Sequence, residues 1–568
     1  MVKIGPAFGD FIRLEKSQKH QSSFDKNYSI RGYILPLILT VAVILIVGRL
    51  FLLQIIQGNN YRNLSDSNRT KTIPIHAPRG IIFDRNGIPL VFNVPGFRET
   101  LGDQTKLISK DEALKLLSQG KTNLEIDSLR NYPYKDATAH VLGYLGQISK
   151  EELGQKEFVN YSGGDLIGKI GIEKEYENLL KGTDGKELVE INNTGKIIRE
   201  LGQTDPLPGK NITLTLDLPL QEKVFQAAKD IKKGAVIVSN PKGEILALLS
   251  SPSFDPNLFT MNEGYSADEN SQYKSVSQII LDSESQPLLN RAIGGVYPPG
   301  STFKLVVAAA GLEDKVIDQN FQIEDTGILN LGSFSFGNWY FLQYGRTDGE
   351  VNVVKAIQRS NDIFFYKLAE MVGVDKLSQF AEKFGLGQKL GIDLTGEQSG
   401  TVPTQEWKKK TIGENWYLGD TYHYGIGQGF LLVTPLQVNA WTQAIANEGV
   451  LYKPHLLESQ KSEVRSQKFL NEETVSLIKQ GMVEACSTGG VAWPLFEFKI
   501  KGKPISVACK TGTAQHGTEQ TLPHAWITLF APADNPQIVV TVLSEDSGEG
   551  SNVAAPIAKK ILEEWFGR

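Results

Sequence analysis

The amino-acid sequence predicts an α+β protein with a membrane-anchor helix, an elongated mixed domain and a C-terminal domain in which an antiparallel sheet carries a helical lobe. Three observations predict this arrangement. An apolar run of about 24 residues near the N-terminus is long enough to cross a membrane. Short strands, helices and Gly-rich loops alternate over residues 57–208. Predicted strands at both ends of residues 209–568 enclose a helical block, which suits a sheet closed by both chain ends.

The composition is that of a globular protein of several domains, with 568 residues, 40% of them hydrophobic and 22% charged. A formal net charge of −5 gives no field that would attract nucleic acid, so we expect no nucleic-acid partner. The sequence has no zinc-finger spacing, Walker loop or dinucleotide fingerprint. Its two cysteines, Cys486 and Cys509, cannot form a disulfide framework. Free buried thiols are favoured, and a single disulfide is the alternative.

The N-terminal apolar run predicts a single uncleaved anchor at residues 32–56. It is longer than an ordinary signal-peptide core, and no small-x-small cleavage site ends it. Six basic residues and three acidic residues precede it. This basic excess predicts that residues 1–31 form a cytoplasmic tail. Everything after about residue 57 is therefore expected on the outer side of the cytoplasmic membrane.

Residues 57–208 are predicted to form a non-catalytic pedestal. Asn86-Gly87 predicts a hairpin turn, and helices are expected at 110–118 and 172–180. Two groups of charged residues receive structural interpretations. An ion-pair cluster that holds the domain together is predicted for Arg79, Asp84 and Arg85. A solvated helix face, in preference to a metal site, is predicted for Glu173, Glu175 and Glu177.

Residues 209–568 contain the alternating apolar runs typical of strands and a helical block between them. A helix is predicted at 221–232, and the polar stretch 255–285 is predicted to be a loop. The predicted strands are 212–216, 234–239, 244–249, 505–509, 525–531 and 537–543.

Three short motifs inside this region point to chemistry: Ser301-Thr302-Phe303-Lys304, Ser360-Asn361-Asp362 and Lys510-Thr511-Gly512-Thr513. Ser-x-x-Lys alone carries little information, because it occurs five more times in the chain. Only Ser301 is followed, about 60 and then about 150 residues later, by the two other elements, in the order found in penicillin-recognising serine enzymes. The five other occurrences begin at Ser23, Ser118, Ser239, Ser271 and Ser476.

The first two motifs supply a nucleophile and a proton-transfer chain. Residues three apart share a helix face, so Lys304 is the candidate base for Ser301 if burial lowers its pKa. Ser360 is expected to relay a proton between Lys304 and a leaving amine. Asp362 is expected to orient Lys304 or to bind the substrate's amide. Pro298-Pro299-Gly300 predicts that the helix begins at or next to Ser301.

The third motif is expected on a strand that borders the cleft. Lys510 and Gly512 then share one face, while Thr511 and Thr513 share the other. Gly512 would let the substrate backbone approach closely, and the charge of Lys510 with the two hydroxyls suits a substrate carboxylate. The N–H groups of Ser301 and Thr513 are expected to form an oxyanion hole.

Together with the anchor, these residues resemble the class B penicillin-binding proteins, and the resemblance covers nearly the whole chain after residue 31. It implies a D,D-transpeptidase that cross-links peptidoglycan stem peptides through an acyl-serine, with D,D-carboxypeptidase cleavage as a side activity. β-Lactams would acylate the same serine. The residues that carry the resemblance are Gly48–Gln54, Arg79–Gly87, Asn290–Ala292, Tyr297–Lys304, Gly425–Gly429 and Thr434–Gln437.

Within that class, Tyr297-Pro-Pro-Gly and the aspartate at position 362 resemble the elongation-type members. The alternatives are a division-specific transpeptidase, a β-lactamase or β-lactam sensor, and a non-enzymatic activator. The resemblance implies a SEDS-family glycan polymerase and other elongation-complex membrane proteins as partners. Some elongation enzymes carry a metal between the first two motifs. Residues 305–359 contain no His or Cys, so no metal and no cofactor are expected.

Overall fold

The computed structural model describes residues 31–101, 104–119, 124–159, 161–192, 196–261, 265–460, 462–517 and 520–568. The predicted cytoplasmic tail up to residue 30 lies outside them. The chain forms two compact units. One contains residues up to Ile73 together with Glu187–Gln203, and the other contains Pro74–Lys186 and Thr204–Arg568.

The predicted anchor is a helix. α1 (Arg31–Phe51) continues as a π-helical turn at Leu52–Ile56. The span Tyr33–Ile56 has a mean hydropathy of 2.6, and none of its most apolar 18-residue stretch is buried inside the protein. A helix of this length and composition fits a single-pass membrane anchor. α2 (Gly58–Arg69) follows it.

The segment after the anchor is built mainly of short strands. Two of its sheets have the orders β1-β8-β9 and β10-β2-β3-β4, and β5 pairs with β3. The antiparallel β2–β3 pair confirms the hairpin predicted at Asn86-Gly87. The elements are β1 (Thr70–Ile75), β2 (Ile82–Phe83), β3 (Pro89–Leu101), β4 (Gln104–Ser109), α3 (Lys110–Ser118), β5 (Leu124–Asn131), α4 (Ala139–Leu142), β6 (Leu145–Gln147), α5 (Lys150–Leu153), β7 (Leu166–Gly168), α6 (Gly171–Glu175), α7 (Glu177–Leu180), β8 (Gly185–Ile191), β9 (Ile197–Thr204) and β10 (Ile212–Thr213).

The acidic residues of α6 and α7 do not form the predicted solvated face. Glu173 is fully buried and Glu177 nearly so. The Arg79 guanidinium lies 2.8 Å from a carboxylate oxygen of each, and Arg130 Nε lies 2.7 Å from Glu173 Oε1. The prediction was wrong for these two residues because the buried arginines compensate their charges. The predicted ion-pair cluster of Arg79, Asp84 and Arg85 was also wrong. Arg79 pairs with the two buried glutamates, Asp84 accepts backbone N–H groups, and Arg85 lies 3.7 Å from Glu244.

The rest of the chain has strands at both ends and helices between them. The strand predicted at 212–216 is limited to β10, and two short helices, α9 and α10, lie in the predicted loop 255–285. The elements are α8 (Leu218–Ala227), β11 (Gly234–Ser239), β12 (Ile245–Ser251), α9 (Asn257–Thr260), α10 (Val276–Leu281), α11 (Lys304–Glu313), β13 (Ile323–Glu324), β14 (Ile328–Leu331), β15 (Phe334–Gly337), α12 (Trp339–Tyr344), β16 (Glu350–Val351), α13 (Val353–Arg359), α14 (Asp362–Val372), α15 (Val374–Lys383), α16 (Gln405–Thr411), α17 (Leu418–Gly425), α18 (Pro435–Ala446), α19 (Glu472–Ala485), β17 (Lys499–Ile500), β18 (Lys503–Pro504), β19 (Ala508–Ala514), β20 (His524–Ala531), β21 (Ile538–Ser544) and α20 (Ala554–Gly567).

Five of these strands form the predicted antiparallel sheet, in the order β12-β11-β21-β20-β19. Helices α8 and α20 pack against the sheet and share one hydrophobic cluster with it. Helix α18 packs against the sheet as part of a second hydrophobic cluster. β19 starts three residues later than the predicted strand and runs on to Ala514, so the third motif lies inside the edge strand. Helix α11 is buried from Lys304 to Leu312 at the centre of the helical lobe.

The two cysteines form a disulfide, so the favoured expectation of free thiols was wrong. Cys486 follows the end of α19, and Cys509 lies in β19 directly before Lys510. Their Cα atoms are 5.9 Å apart. The pairing depends on how the helix packs against the edge strand, and the linear spacing of the two residues does not reveal it. The bond therefore ties the helical lobe to the strand that carries the third motif.

We predict that replacing both cysteines, as Cys486→Ala with Cys509→Ala, lowers the free energy of unfolding by about 3 kcal/mol. This is the loop-closure value for the 23-residue separation. Urea unfolding of the oxidised proteins measures it. A reductant should destabilise the wild type to the same level and leave the double variant unchanged. Equal stability of the two oxidised proteins would contradict the prediction.

Candidate active site

The first motif begins in a 3-10 turn, Gly300–Phe303, that leads directly into α11 at Lys304. This agrees with the predicted helix start next to Ser301. Gly300 has φ +54°, a conformation that glycine adopts without strain, and its N–H donates to Gly427 O at 2.9 Å. Residues 297 and 433 exchange two backbone hydrogen bonds of 2.9 Å. The turn that holds Ser301 is therefore fixed by backbone contacts with a distant segment.

The strand of the third motif packs directly against this turn. A Cβ atom on Gly512 would lie 3.0 Å from both Pro299 O and Thr302 Cγ2, and one on Gly300 would lie 3.0 Å from Thr513 O. Opposite Gly512 on β20, the Trp526 indole N–H donates to Pro298 O at 3.1 Å. The structure thus brings the first and third motifs together, and glycine at both contact points permits the approach.

Lys304 connects the first motif to the second. Its side chain is fully buried, and its Nζ donates to Asp362 Oδ1 at 2.6 Å, to Ser360 O at 2.8 Å and to Ser360 Oγ at 3.3 Å. Burial lowers the pKa of Lys304 below its ordinary value, although the Asp362 carboxylate opposes this shift. An amine with a lowered pKa is neutral in a larger fraction of molecules, and only the neutral amine can accept a proton.

Lys510 lies deeper than its expected role implies. It is fully buried, and its Nζ donates to Ser360 Oγ at 2.8 Å and to Thr511 O at 3.0 Å. Burial holds its pKa well below the ordinary value, and the neighbouring charge of Lys304 lowers it further. We expected the Lys510 charge to face a substrate carboxylate. In the structure the Ser360 hydroxyl lies between the two lysine amines instead.

The two threonines of the third motif differ in exposure. Thr511 is buried and Thr513 is exposed. Thr513 pairs with Ala525 on β20, next to the closely packed Gly512–Trp526 pair. The Thr513 hydroxyl is therefore the more accessible of the two predicted substrate-binding hydroxyls.

The backbone around the second motif fixes its side chains. Ser360 follows the end of α13 with φ +55°, and Asn361 caps α14 by accepting the Phe364 N–H. Two further contacts, which the sequence does not reveal, hold Asp362 in place. Its Oδ2 accepts the Trp339 N–H at 3.0 Å, and its own N–H donates to Asn338 Oδ1 at 3.1 Å. No motif or spacing in the sequence singles out these two residues.

A second cluster of chemically active side chains lies beyond the end of the third motif. His516, His524 and Asp546 bring their ligand atoms within 4.8 Å of one another. Sequence spacing did not reveal this group, because the fold brings together the β19–β20 connection, the start of β20 and the turn after β21. The two imidazole rings stack with centroids 3.8 Å apart and planes 10° apart. A metal ion lies in the plane of each imidazole that binds it, so two stacked parallel rings offer no shared position.

Comparison with known proteins identifies relatives over most of the chain. Residues 234–563 match the penicillin-binding protein transpeptidase domain, and residues 120–214 match the penicillin-binding protein dimerisation domain. The peptidoglycan D,D-transpeptidase MrdA of Escherichia coli K12 is 34% identical, and the match covers 91% of each chain.

Two solved structures are similar to this fold. One is the penicillin-binding protein 2 of Helicobacter pylori in complex with MreC, with a TM-score of 0.73 and 29% identity over 88% of this chain and 99% of that one. The other belongs to a peptidoglycan synthase complex that coordinates polymerisation and crosslinking. It has a TM-score of 0.72 and 29% identity over 94% of this chain and 98% of that one.

We predict that Gly427→Ala slows the reaction of Ser301 with a labelled β-lactam by at least about tenfold. A Cβ atom there would lie 2.2 Å from Gly300 O, so the turn that holds Ser301 must move. Gly332→Ala is the matched control, since Gly332 also has a positive φ but no atom lies within 4 Å of its added Cβ. Both variants should lose a similar backbone contribution to stability in thermal unfolding. Equal labelling rates for the two would refute the prediction.

Proposed function

The chain belongs to the penicillin-binding proteins of the MrdA type, and we propose that Ser301 is the nucleophile of its D,D-transpeptidase reaction. The protein is a peptidoglycan D,D-transpeptidase with a penicillin-binding catalytic domain. One observation carries the assignment of the residues. The Lys304 amine lies buried between Ser360 and Asp362, one helical turn from Ser301, and the strand of Lys510 packs against the same turn.

Acylation would start with proton transfer from Ser301 to Lys304. The Ser301 oxygen attacks the carbonyl of the penultimate D-Ala, and a new ester bond forms to Oγ. Collapse of the tetrahedral intermediate breaks the peptide bond and releases the terminal D-Ala, whose nitrogen takes up a proton. Ser360 is placed to pass that proton on, because its hydroxyl contacts both lysine amines.

The acyl-enzyme would then react with a second stem peptide. The acceptor's amine attacks the ester carbonyl, the ester bond to Ser301 breaks, and the serine regains its proton. The N–H groups of Ser301 and Thr513 would stabilise the oxyanion in both steps, at about 2.7–4 kcal/mol per donor. The exposed Thr513 hydroxyl fits the substrate carboxylate, with Thr511 and Gly512 forming the adjacent wall.

We assign the enzyme to cell elongation and not to division. The support is its similarity to MrdA proteins and the aspartate at position 362. A β-lactamase or sensor is disfavoured, because the match to a peptidoglycan D,D-transpeptidase extends over nine-tenths of the chain, including the segment before the catalytic domain. A persistent acyl-enzyme with penicillin would support the transpeptidase, whereas rapid turnover would support hydrolysis.

We also propose how the chain is placed in the cell. The anchor would leave residues 1–31 in the cytoplasm and residues 57–568 outside it, with a pedestal at 57–208 and the transpeptidase domain at 209–568. MreC bound to a similar protein, and a similar chain within a synthase complex, support assembly with elongation proteins. A SEDS-family glycan polymerase is the membrane partner that we propose, with the pedestal as its contact.

We predict that Ser301→Ala abolishes both labelling by penicillin and cross-linking of stem peptides. The variant keeps the buried packing of the turn, so its thermal unfolding should match the wild type. If the pedestal binds a polymerase, stimulation of glycan synthesis in the reconstituted complex should survive the change. Mass spectrometry of the acylated wild type should locate the adduct on Ser301. Cross-linking by the alanine variant would disprove the assigned mechanism.

We predict that the acylation rate of the wild type falls as pH drops through the pKa of Lys304, since only the neutral amine accepts the serine proton. The Asp362 carboxylate raises that pKa. Asp362→Asn should therefore move the acid limb of the pH–rate profile to lower pH and reduce the maximal rate. Stopped-flow labelling across a pH series measures both quantities. A limb that moves to higher pH would contradict this role of Asp362.

A further inference from the structure

We propose that Asp325 is a positioning residue for acylation. Through Asn338 and Asn361 it holds Asp362 and Ser360 where they contact Lys304. The inference rests on the proposed roles of Ser301 and Lys304. Asp325 lies just after β13, far from all three motifs in the sequence, and no motif includes it.

The Asp325 carboxylate is buried and well supplied with donors. Its Oδ2 accepts from Asn338 Nδ2 at 2.8 Å, from Asn361 Nδ2 at 2.9 Å and from the Asp348 N–H at 2.9 Å, and its Oδ1 accepts the Gly327 N–H at 2.9 Å. Asp325 as a whole is 3% exposed. Four N–H donors converge on this one carboxylate and fix its orientation.

The first connection from Asp325 runs through Asn338. This asparagine is fully buried and uses both ends of its amide. Its Nδ2 donates to Asp325, and its Oδ1 accepts the Asp362 N–H at 3.1 Å. The next residue, Trp339, donates its N–H to Asp362 Oδ2 at 3.0 Å, which leaves Asp362 Oδ1 for the Lys304 amine at 2.6 Å. The orientation of the Asn338 amide therefore determines where the partner of Lys304 lies.

The second connection runs through Asn361. This side chain is buried, and its Nδ2 donates to both Asp325 and Asp348. Its backbone N–H donates to Ala356 O at 3.0 Å, which helps to keep the preceding Ser360 at φ +55°. A non-glycine residue in this conformation is strained and persists where its surroundings determine it. Asn361 therefore supports the Ser360 backbone carbonyl and hydroxyl that contact Lys304.

The charged groups around this network come from several elements. Lys304 of α11 contacts Asp362 of α14 and lies near Lys510 of β19. The Tyr366 hydroxyl on α14 lies in the field of Asp362. Arg359 of α13 pairs with Asp348 at 2.9 Å. In this set, Asp325 contacts no cationic side chain in the described part of the chain, and its hydrogen bonds go to amides and backbone N–H groups. This arrangement suits a residue that orients its neighbours.

The test measures the rate of acylation by a labelled penicillin across a pH series, with the full-length chain in detergent. Each rate is expressed per molecule whose serine can be labelled. Asp325→Asn and Asn338→Ala should each slow acylation by about ten- to a hundredfold, the cost of misplacing a catalytic group by about 1 Å. Both should also move the acid limb to lower pH, because a displaced Asp362 supports the Lys304 charge less. Asn338→Ala changes no charge, so its shift cannot come from a lost carboxylate.

A double-variant cycle separates positioning from general destabilisation. The double variant should react no more slowly than the slower single variant, because Asp325→Asn already breaks the connection through Asn338 that Asn338→Ala removes. Asp393→Asn is the matched control. Asp393 is also a buried carboxylate that accepts two backbone N–H groups, those of Leu456 and Leu457, but it has no contact with the three motifs. It should lower the unfolding temperature and leave the rate per reactive serine and the acid limb unchanged.

The results distinguish this inference from the proposed function. Labelling of the Ser301→Ala variant at the wild-type rate would refute the nucleophile itself. Labelling at Ser301 in the wild type, with an unchanged rate and acid limb in Asp325→Asn and Asn338→Ala, would refute only the positioning role. Additive effects of the two changes in the double variant would refute it as well.

Discussion

The buried amine of Lys304 is the constraint on which the rest of the catalytic domain depends. Taking a lysine out of water is unfavourable unless its donors find partners. Here they find Asp362 and both oxygens of Ser360. Those partners come from the start of α14, so α11 and α14 must pack with a fixed register. Burial in turn lowers the pKa of Lys304, which is the property a general base needs. Packing and chemistry are thus consequences of the same contact.

The approach of the edge strand to the nucleophile is controlled by backbone and not by charged side chains. Gly300, Gly427 and Gly512 lie where added Cβ atoms would come within 2.2–3.0 Å of neighbouring backbone oxygens. Such contacts put the N–H of Ser301 and that of Thr513 on adjacent segments, and the Trp526 indole supports the approach by donating to Pro298 O. The disulfide to Cys509 then ties the same strand to α19. Rigid support of this kind is what an oxyanion hole requires, since its donors act only when they are already in position.

Much of the fold and the three motifs could be predicted from the sequence, because they depend on local signals. Proline and glycine before Ser301, alternating apolar residues in the terminal strands and the long apolar anchor each determine structure within a few residues. The remainder depends on long-range packing. Burial of Glu173 follows from two arginines that are 94 and 43 residues away, and the disulfide follows from how α19 meets β19. Asn338 and Asp325 belong to no motif, so their contacts with the site appear only in the folded chain.

The two neighbouring lysines give a physical reason for a serine in the second motif. Lys304 and Lys510 both donate to Ser360 Oγ, and the charge of Lys304 lowers the pKa of Lys510. A charge on Lys304 therefore disfavours a charge on the neighbouring Lys510 amine. In the proposed mechanism, Lys304 becomes charged when it takes the proton of Ser301, and the nearby Lys510 amine then favours transfer of that proton onward. A hydroxyl both accepts and donates, so Ser360 can carry the proton out in a way that an alanine or a carbonyl at this position cannot.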